Sequence, residues 1–274
     1  MNRRYRVQIH PHAIVHPKAK LADDVVVGPF CVVGEHVTLG KGTRLLSHVT
    51  VDGWTEIGER CEFHPFVSIG GPPQHLGYKG EPTKVVVGDD NVFREYVTVN
   101  RATVQGGGVT SIGNKNFLMA YTHVAHDCRL GNSLIMANAA SLAGHITIGD
   151  HAIIGGLTGI HQYVRIGAYA MVGGCCALGQ DLPPFMRAAG GYRARMYGLN
   201  SVGLRRHGFS PDRVAVLKRA YDILFRSGHR TAEAARLAKA EFGDQPDVMA
   251  VLTFLEGTKR GICRSMGKDE EDEE

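Results

Sequence analysis

Apolar residues recur at every sixth position through the first two thirds of the chain. Every sixth residue from Ile9 to Ile69 is apolar, and the pattern returns from Ile112 to Leu178, often with a glycine directly after it. Neither the helical period nor the alternation of a simple strand explains this spacing. Hexapeptide repeats are typical of a parallel β-helix, in which each unit forms one flat side and points its apolar residue inward.

Three flat sides make one coil of about 18 residues, so residues 18 apart should stack roughly 4.8 Å apart, the spacing of neighbouring strands. Residues 9 to 182 then form about nine to ten coils. We expect small residues at the corners, where glycine tolerates unusual backbone angles. The exposed faces and edges of such a coil favour an oligomer that covers them.

Two segments interrupt the rhythm. "GGPPQHLGYKGEPTK", residues 70–84, has the proline and glycine content of a loop, and the apolar position fails there at His75 and Glu81. "RATVQGGGVTS", residues 101–111, shifts the register. We expect both segments to project from the coil as inserted loops, and such loops often carry function.

Helix signals replace the hexads after "DLPP", residues 181–184. Ser210 before Pro211 predicts a capped helix, Thr231 is expected to cap a second, and residues 246–261 form a third amphipathic segment. The predicted organisation is a parallel β-helix over 1–190, an α-helical domain over 191–266 and an acidic disordered tail over 267–274.

Without its acidic C-terminal tail, the chain carries a clear excess of positive charge. Residues 1–268 hold 31 basic against 21 acidic residues, because the last six residues, "DEEDEE", are all acidic. Many of the basic residues follow residue 190, so this region is expected to attract an acidic partner. Nucleic acid is not expected, since no recognised nucleic-acid-binding motif accompanies the charge.

Composition also indicates a compartment. The chain has no apolar run long enough to span a bilayer, and its start lacks the apolar core of a signal peptide. Its six cysteines form no CxxC pair, which fits reduced thiols. We therefore expect a soluble cytoplasmic protein without an integral membrane segment.

Stacking arithmetic brings several polar residues together. His126, Gly144 and Gln162 are each 18 apart, as are Asp127 and His145. The same rule places His161 and His123 near this strip, one face of the coil. Histidines often occupy exposed hexad positions without a role, but a convergent cluster with a carboxylate is the pattern expected of a general base with an orienting group.

Two other chemistries are less well supported. Three histidines can bind zinc, but no HxxxxH pair is present, and stacking alone explains why the aspartate and histidines meet. We predict no metal. Cys128 lies two residues from His126, yet nothing in the sequence indicates that it is a thiolate nucleophile.

Several motifs together resemble one family over nearly the whole chain, from about residue 8 to residue 264. They are the hexads with "AHDC", "LAGH", "IHQ", "MVGGC", "QDLPP" and "FRSG". The chain is similar to the UDP-N-acetylglucosamine O-acyltransferases that open lipid A synthesis. This resemblance implies left-handed coils, a homotrimer with active sites between subunits, and a Gram-negative-type bacterial source.

The resemblance also implies a reaction. An (R)-3-hydroxyacyl chain passes from the phosphopantetheine thioester of acyl carrier protein to the glucosamine 3-hydroxyl of UDP-N-acetylglucosamine, with no further cofactor. A sugar hydroxyl is a poor nucleophile until a base takes its proton, and a neutral imidazole is suited to do so. Acyl carrier proteins are acidic, which would give the surplus basic charge a use in docking.

Individual roles follow from the same resemblance. His126 corresponds to the general base, Asp127 to the group that holds its environment, and the backbone N–H of Gly144 to the oxyanion donor. Substrate-binding positions are matched by Gln74, His123, His145, His161 and Gln162, with Asn200 near the uracil and Arg206 near the nucleotide phosphates. Gly174 corresponds to the residue that limits acyl length, and its lack of a side chain implies a long chain.

Some positions depart from the family pattern. His75 stands where the better-known members carry aspartate and Gly77 where they carry lysine, while Val202 replaces a glutamate and His207 a second arginine. These departures leave open whether the acceptor atom is the 3-hydroxyl or a 3-amine.

Three alternatives remain at this point. A related acyltransferase would form an amide on a glucosamine, but those relatives carry an extra N-terminal domain, and eight residues precede the hexads here. A hexapeptide acetyltransferase would use coenzyme A as donor. A non-enzymatic β-helix would serve as a scaffold or binding module.

Overall fold

The computed structural model of the chain describes residues 7–265, which form 28 short strands followed by helices. In chain order the strands are β1 (Gln8–Ile9), β2 (Ile14–Val15), β3 (Lys20–Leu21), β4 (Val26–Val27), β5 (Val32–Val33), β6 (Val37–Leu39), β7 (Arg44–Leu45), β8 (Thr50–Val51), β9 (Trp54–Ile57), β10 (Glu62–Phe63), β11 (Ser68–Gly71), β12 (Lys84–Val87), β13 (Val92–Phe93), β14 (Thr98–Asn100), β15 (Val109–Ile112), β16 (Phe117–Leu118), β17 (His123–Val124), β18 (Arg129–Leu130), β19 (Ile135–Met136), β20 (Ser141–Leu142), β21 (Thr147–Ile148), β22 (Ile153–Ile154), β23 (Gly159–Ile160), β24 (Arg165–Ile166), β25 (Met171–Val172), β26 (Ala177–Leu178), β27 (Met186–Ala189) and β28 (Arg195–Leu199).

The strands wind through three parallel sheets, so each sheet takes every third strand. The first sheet runs from β1 to β25 and then adds β27 and β28; the second runs from β2 to β26 and the third from β3 to β24. Only the last pair of the first sheet, β27 with β28, is antiparallel among the described strands. This is the architecture of a parallel β-helix.

The register advances by one coil of the expected length at most steps, as in the pairing of Val26 with Arg44. Two steps are longer, because Glu62 pairs with Val92, and Val92 in turn pairs with Phe117. The extra residues leave the coil between the second and third sheets, after β11 and after β14. The two interruptions seen in the sequence therefore emerge from the same corner in successive coils.

The repeated apolar residues fill the inside of the coil. Leu45, Phe63, Phe93, Leu118 and Met136, from successive strands of the first sheet, are all 0% exposed. The rings of Phe63 and Phe93 stack with centroids 4.6 Å apart. Fully burying one such side chain stabilises the folded state by about 1.5–3 kcal/mol, which explains why the six-residue rhythm can dictate the fold.

The corners differ from the expectation based on glycine. Many left-handed corner residues carry side chains, for example Phe30 (φ 59°) and Tyr121 (φ 63°). The glycines after the apolar residues serve a different purpose: at Gly28 a Cβ atom would lie 1.4 Å from the carbonyl oxygen of Leu46 in the next coil. Glycine is needed there because successive coils approach closely, not because of an unusual φ.

The C-terminal region combines strands and helices. Strand β28, which the sequence signals did not predict, returns along β27 and extends the first sheet past residue 190. The helices are α1 (Ser201–Arg206), α2 (Pro211–Tyr221), α3 (Thr231–Phe242) and α4 (Pro246–Glu256), with a π-helical turn, Asp222–Arg226, continuing α2. No helix within residues 7–265 has the length and apolar character needed to cross a membrane.

The two predicted helix caps have different outcomes. Ser210 caps α2 as expected, because its hydroxyl accepts a hydrogen bond from the backbone N–H of Arg213. The prediction for Thr231 is wrong: Thr231 is already helical, and the preceding extended residue is Arg230, whose side chain makes no capping bond. The predicted acidic tail lies outside the described residues.

Candidate active site

His126, Asp127, Gly144, His145 and His161 come from one corner of successive coils, the corner between the second and third sheets. Strand β17 leads into the turn that carries His126 and Asp127, β20 leads to Gly144 and His145, and β23 leads to His161. The two inserted segments leave from this corner in the preceding coils. The coil thus builds one vertical strip from residues that are far apart in the sequence.

A groove of about 910 Å³ runs along this strip. The predicted site residues that line it are Gln74, His123, His126, Gly144, His161 and Gln162. Apolar wall residues include Ala143, Ile160 and Leu178, and Arg193, Arg195 and Arg264 also line it. An apolar groove with a few polar groups and cations suits an elongated substrate that has both apolar and negatively charged parts.

His126 and Asp127 form a hydrogen-bonded pair, the dyad of this site. The Nδ1 atom of His126 lies 2.7 Å from Oδ2 of Asp127, whose side chain is 0% exposed. An ionised carboxylate can only accept, so in a neutral ring bonded this way Nδ1 would carry the proton and Nε2 would keep its lone pair. This pair can therefore accept a proton at Nε2 and stabilise the imidazolium that results.

The second inserted segment holds the carboxylate in place. Thr103 donates to Asp127 twice, from its backbone N–H to Oδ1 at 2.9 Å and from its hydroxyl to Oδ2 at 2.8 Å. The backbone N–H of Asp127 donates to the Thr110 hydroxyl at 2.8 Å. The sequence did not reveal Thr103, because an insertion has no hexad register from which its contacts can be calculated.

Gly144 lies against the face of His126. A Cβ atom at Gly144 would be 2.5 Å from Cε1 of His126, so no side chain fits there without moving the ring. Within residues 7–265, no acceptor pairs with the backbone N–H of Gly144. An unpaired N–H beside a candidate base is suited to stabilise a developing oxyanion.

Burial favours the neutral form of two histidines beside this pair. Burial lowers the pKa of His123, whose Nδ1 lies 2.7 Å from the Thr98 hydroxyl. Burial also lowers the pKa of His145, although Asp127, with Oδ2 3.6 Å from His145 Nε2, acts in the opposite direction. His145 lies behind the dyad and does not line the groove, whereas His123 does.

His75 is the departure from the family pattern that lies nearest to the dyad. Its ring stands edge-on to that of His126, with centroids 5.5 Å apart. The backbone N–H of Gly77 donates to Nδ1 of His75 at 3.2 Å. A Cβ atom at Gly77 would come within 3.0 Å of the His75 ring, so glycine at this position leaves room for the ring.

Besides Asp127 and His145, three further predicted residues do not line the groove of their own chain. Asn200 is buried and caps α1: its Oδ1 accepts from Gly203 N–H, and its Nδ2 donates to the Tyr169 carbonyl. Arg206 is exposed at the end of α1. Gly174 is exposed, and a Cβ atom there would contact only the backbone of Gly156, at 3.2 Å.

The metal and thiol alternatives can be compared with the geometry. His126, Asp127 and His145 place donor atoms within 4.8 Å of one another, but the 2.7 Å between His126 Nδ1 and Asp127 Oδ2 is a hydrogen-bond distance. Two ligands of one zinc ion stand roughly 3.3 Å apart. Burial raises the pKa of the Cys128 thiol to about 12, and that thiol donates to the Ala143 carbonyl, so it is not an activated nucleophile.

An imidazole hydrogen-bonded to a buried carboxylate, beside an N–H without an acceptor among the described residues, in the groove of a β-helix, is the kind of site expected of a hexapeptide-repeat acyltransferase. Residues 181–263 match the family model described as UDP-N-acetylglucosamine O-acyltransferase, domain 2. The chain belongs to the acyl-[acyl-carrier-protein]--UDP-N-acetylglucosamine O-acyltransferase family. Two relatives of that name are those of Thermodesulfovibrio yellowstonii, 56% identical over 94% of this chain and 99% of the relative, and of Syntrophobacter fumaroxidans, 47% identical over 94% and 100%.

Solved structures agree with this membership. LpxA from Acinetobacter baumannii is 42% identical, with a TM-score of 0.90 over 93% of this chain and 99% of that one. The UDP-N-acetylglucosamine acyltransferase from Campylobacter jejuni is 39% identical, with a TM-score of 0.89 over 94% and 100%. The predicted left-handed β-helix with C-terminal helices and the predicted enzyme class are confirmed.

Proposed function

We propose that this enzyme transfers an (R)-3-hydroxyacyl chain from acyl carrier protein to the glucosamine 3-hydroxyl of UDP-N-acetylglucosamine, the first step of lipid A synthesis. One observation carries the mechanism: His126 is bonded at Nδ1 to a fully buried carboxylate while Gly144 presents an unpaired N–H beside its ring. The names of the relatives support the choice of donor and acceptor.

In this reaction the imidazole of His126 carries a proton from the acceptor hydroxyl to the leaving thiolate. Nε2 of His126 takes the proton of the acceptor hydroxyl as its oxygen attacks the thioester carbonyl. The resulting oxyanion is stabilised by the Gly144 N–H, and collapse breaks the carbon–sulfur bond. The thiolate takes the proton from the imidazolium, so the products are the ester and the free phosphopantetheine thiol, and no cofactor is consumed.

We assign substrate contacts according to the groove. Gln74, His123, His161 and Gln162 line it and can hydrogen-bond the sugar and the acyl group. His145 is a supporting residue, because it reaches Asp127 from the side away from the groove. The cations among the lining residues, including Arg193 and Arg195, can attract the acidic carrier protein and the diphosphate.

Asn200, Arg206 and Gly174 fit a groove completed by a neighbouring subunit. We propose a homotrimer in which Asn200 and Arg206 meet the nucleotide and Gly174 limits acyl length. The exposed rings of Phe30, Phe66, Tyr96 and Tyr121 form one row along a corner, with His48 between the first two, and support such contact, because a largely aromatic ridge of this length favours burial against another copy. Light scattering would measure the mass.

Cytoplasmic residence is part of this proposal. The six cysteines are all free, and Cys175 is exposed, which agrees with a reducing compartment. The cited relatives come from bacteria.

The direct experiment follows product mass. Purified protein is incubated with UDP-N-acetylglucosamine and 3-hydroxyacyl carrier proteins of several chain lengths, with the matching coenzyme A thioesters as control donors. We expect a hydroxyacylated sugar nucleotide from the carrier protein donors, with a preference for long chains that Gly174→Met shifts to shorter ones. No product from any donor, in a folded sample, would contradict the proposal.

The acceptor atom is tested in parallel. Because His75 lies beside His126, a second imidazole is present where the acceptor is deprotonated. The 3-amino analogue of the sugar nucleotide is therefore offered in competition with the hydroxyl form, and the ratio of amide to ester product reports the preference.

A further inference from the structure

The two inserted segments are connected to each other through one buried cation, Arg101. It stands at the root of the second segment, directly after β14, and is 7% exposed. Thr103, two residues further on, holds the carboxylate of Asp127. Arg101 points the other way along the corner, toward the first segment.

The guanidinium group of Arg101 bonds the first segment at its start and near its middle. Its Nη1 donates to the Gly70 carbonyl and its Nη2 donates to the Tyr78 hydroxyl, each at 2.7 Å. Its backbone N–H donates to the Gly71 carbonyl at 2.9 Å. The Tyr78 hydroxyl in turn donates to the Glu81 carbonyl at 2.9 Å, so Arg101 and Tyr78 together link the start of the loop to Glu81.

This arginine is held without an acid. Within residues 7–265, no carboxylate oxygen lies within 4.0 Å of its guanidinium nitrogens, which face one carbonyl, one hydroxyl and the rings of Trp54 and Tyr78, at 5.5 Å and 5.9 Å from the ring centroids. At Gly53 a Cβ atom would meet Nη1 at 2.0 Å, so glycine makes room for it. Burying a cation is unfavourable unless it is bonded, and here Nη1 and Nη2 have acceptors while the buried Nε has none in the described part of the chain. A planar fork that reaches two acceptors requires arginine rather than lysine.

The clamped loop carries groove residues. Gln74 lines the groove, and the ring of His75 stands beside His126. The backbone N–H of Tyr78 donates to the His75 carbonyl at 3.0 Å, so the position of Tyr78 sets that of the turn before it. We propose that Arg101 is a positioning residue that, through Tyr78 and Gly70, holds residues 72–83 against the groove and so sets how the acceptor is bound.

The kinetic test of this inference, which measures KM and kcat, rests on the proposed function. The structural test, which measures hydrogen exchange of the loop, does not. Tyr78→Phe removes the hydroxyl while keeping the ring, and Arg101→Lys keeps the charge while losing the fork. Lys79→Ala, an exposed residue of the same loop, is the control. Amide hydrogen exchange of residues 72–83 is measured on the intact protein without substrate. It reports whether Arg101 and Tyr78 hold this loop in place, independently of turnover.

We expect faster exchange over residues 72–83 in both variants, and a KM for UDP-N-acetylglucosamine that rises about tenfold, with kcat and the donor KM within about twofold of wild type. The double variant should show exchange and an acceptor KM close to those of either single variant, because the two substitutions break the same link between Arg101 and Tyr78. Unchanged exchange would overturn the proposal that Arg101 holds residues 72–83. A fall in kcat with an unchanged acceptor KM would overturn it as well, because the arginine would then act on the dyad through Thr103.

If the wild-type protein forms no product, the proposed function fails while the exchange comparison still decides the clamp. A loss of thermal stability in Arg101→Lys that Tyr78→Phe does not share would mark the effect of that variant as structural. In that case Tyr78→Phe alone decides, and unchanged exchange and acceptor KM in it would overturn the proposal.

Discussion

The coils before residue 70 and the coils after it obey the same pairing rule but differ at one corner, where the second sheet meets the third. In the first region the chain turns tightly at this corner, as between Val33 and Val37. In the second region the same corner carries two insertions and then the dyad. The contrast separates the interior of the coil, which is regular throughout, from one corner, where residues are added without disturbing that interior and where the candidate site lies.

The largest expected effect separates chemistry from stability. His126→Ala should lower kcat about a thousandfold, because general-base catalysis contributes on the order of 10²–10⁴. Its thermal midpoint should stay within a few degrees of wild type. His16→Ala, in the first region, is the matched control and should retain full turnover. Activity that survives in the His126 variant would remove this residue as the base.

Phe63→Ala tests the first region. Phe63 is 0% exposed and stacks on Phe93, so its truncation should destabilise the fold by about 3 kcal/mol. The kcat per folded active site should not change. Thermal unfolding and titration of active sites measure the two quantities separately. A specific loss of kcat with an unchanged unfolding midpoint would show that the regions are not independent.

Gly144→Ala tests the close approach in the second region. The added Cβ would lie 2.5 Å from the His126 ring, so the imidazole must shift. We expect kcat to fall roughly a hundredfold, as displacement of a catalytic group by about an ångström commonly does. A variant with wild-type kcat would mean that the ring has room to move without penalty.

Thr103→Val tests the contribution of the insertion. The change removes the hydroxyl that donates to Asp127 Oδ2. Loss of a hydrogen bond to a charged group should lower kcat about tenfold. Thr43→Val is the counterpart in the regular coils, where the hydroxyl donates to the Gly58 carbonyl, and it should reduce stability but leave kcat unchanged. Equal kcat losses in both variants would contradict a specific role.

The smallest expected effect is on the pH dependence of stability. Burial lowers the pKa of His123 and His145, so below pH of about 6.5 the unfolded chain binds more protons than the folded one. Stability should therefore fall as pH decreases from about 6.5 toward the lowered folded values. His123→Gln should reduce this slope. Thermal midpoints that fall equally in variant and wild type would contradict the assignment.

The interior of the coil could be predicted because the six-residue period of the sequence determines it. A period of six defines which residues point inward and which ones stack, so the sequence alone aligns His126, Gly144 and Gln162, and the groove runs along that strip. The predicted meaning of the glycines was wrong in part. The sequence does not distinguish a glycine chosen for its backbone angle from one chosen because the next coil lies too close.

The insertions could not be predicted in the same way. Thr103, Arg101 and His75 make their contacts from segments without a register, so no spacing rule says how far they reach. Strand β28 was missed because a hairpin at the end of a coil follows no hexad. Asn200 was assigned from resemblance alone, and within its own chain it serves as a helix cap.

The constant length of the regular coils, seen where Val26 pairs with Arg44, restricts how such a protein can change in length. Adding one residue within a strand would turn its apolar residue outward and expose it, whereas a whole added coil would restore every downstream contact. Residues added at a corner escape this rule altogether, as the longer steps from Glu62 to Val92 and from Val92 to Phe117 show. Evolution of a coil of this kind therefore has two separate variables: its height, which changes in whole turns, and its corner loops, which vary one residue at a time.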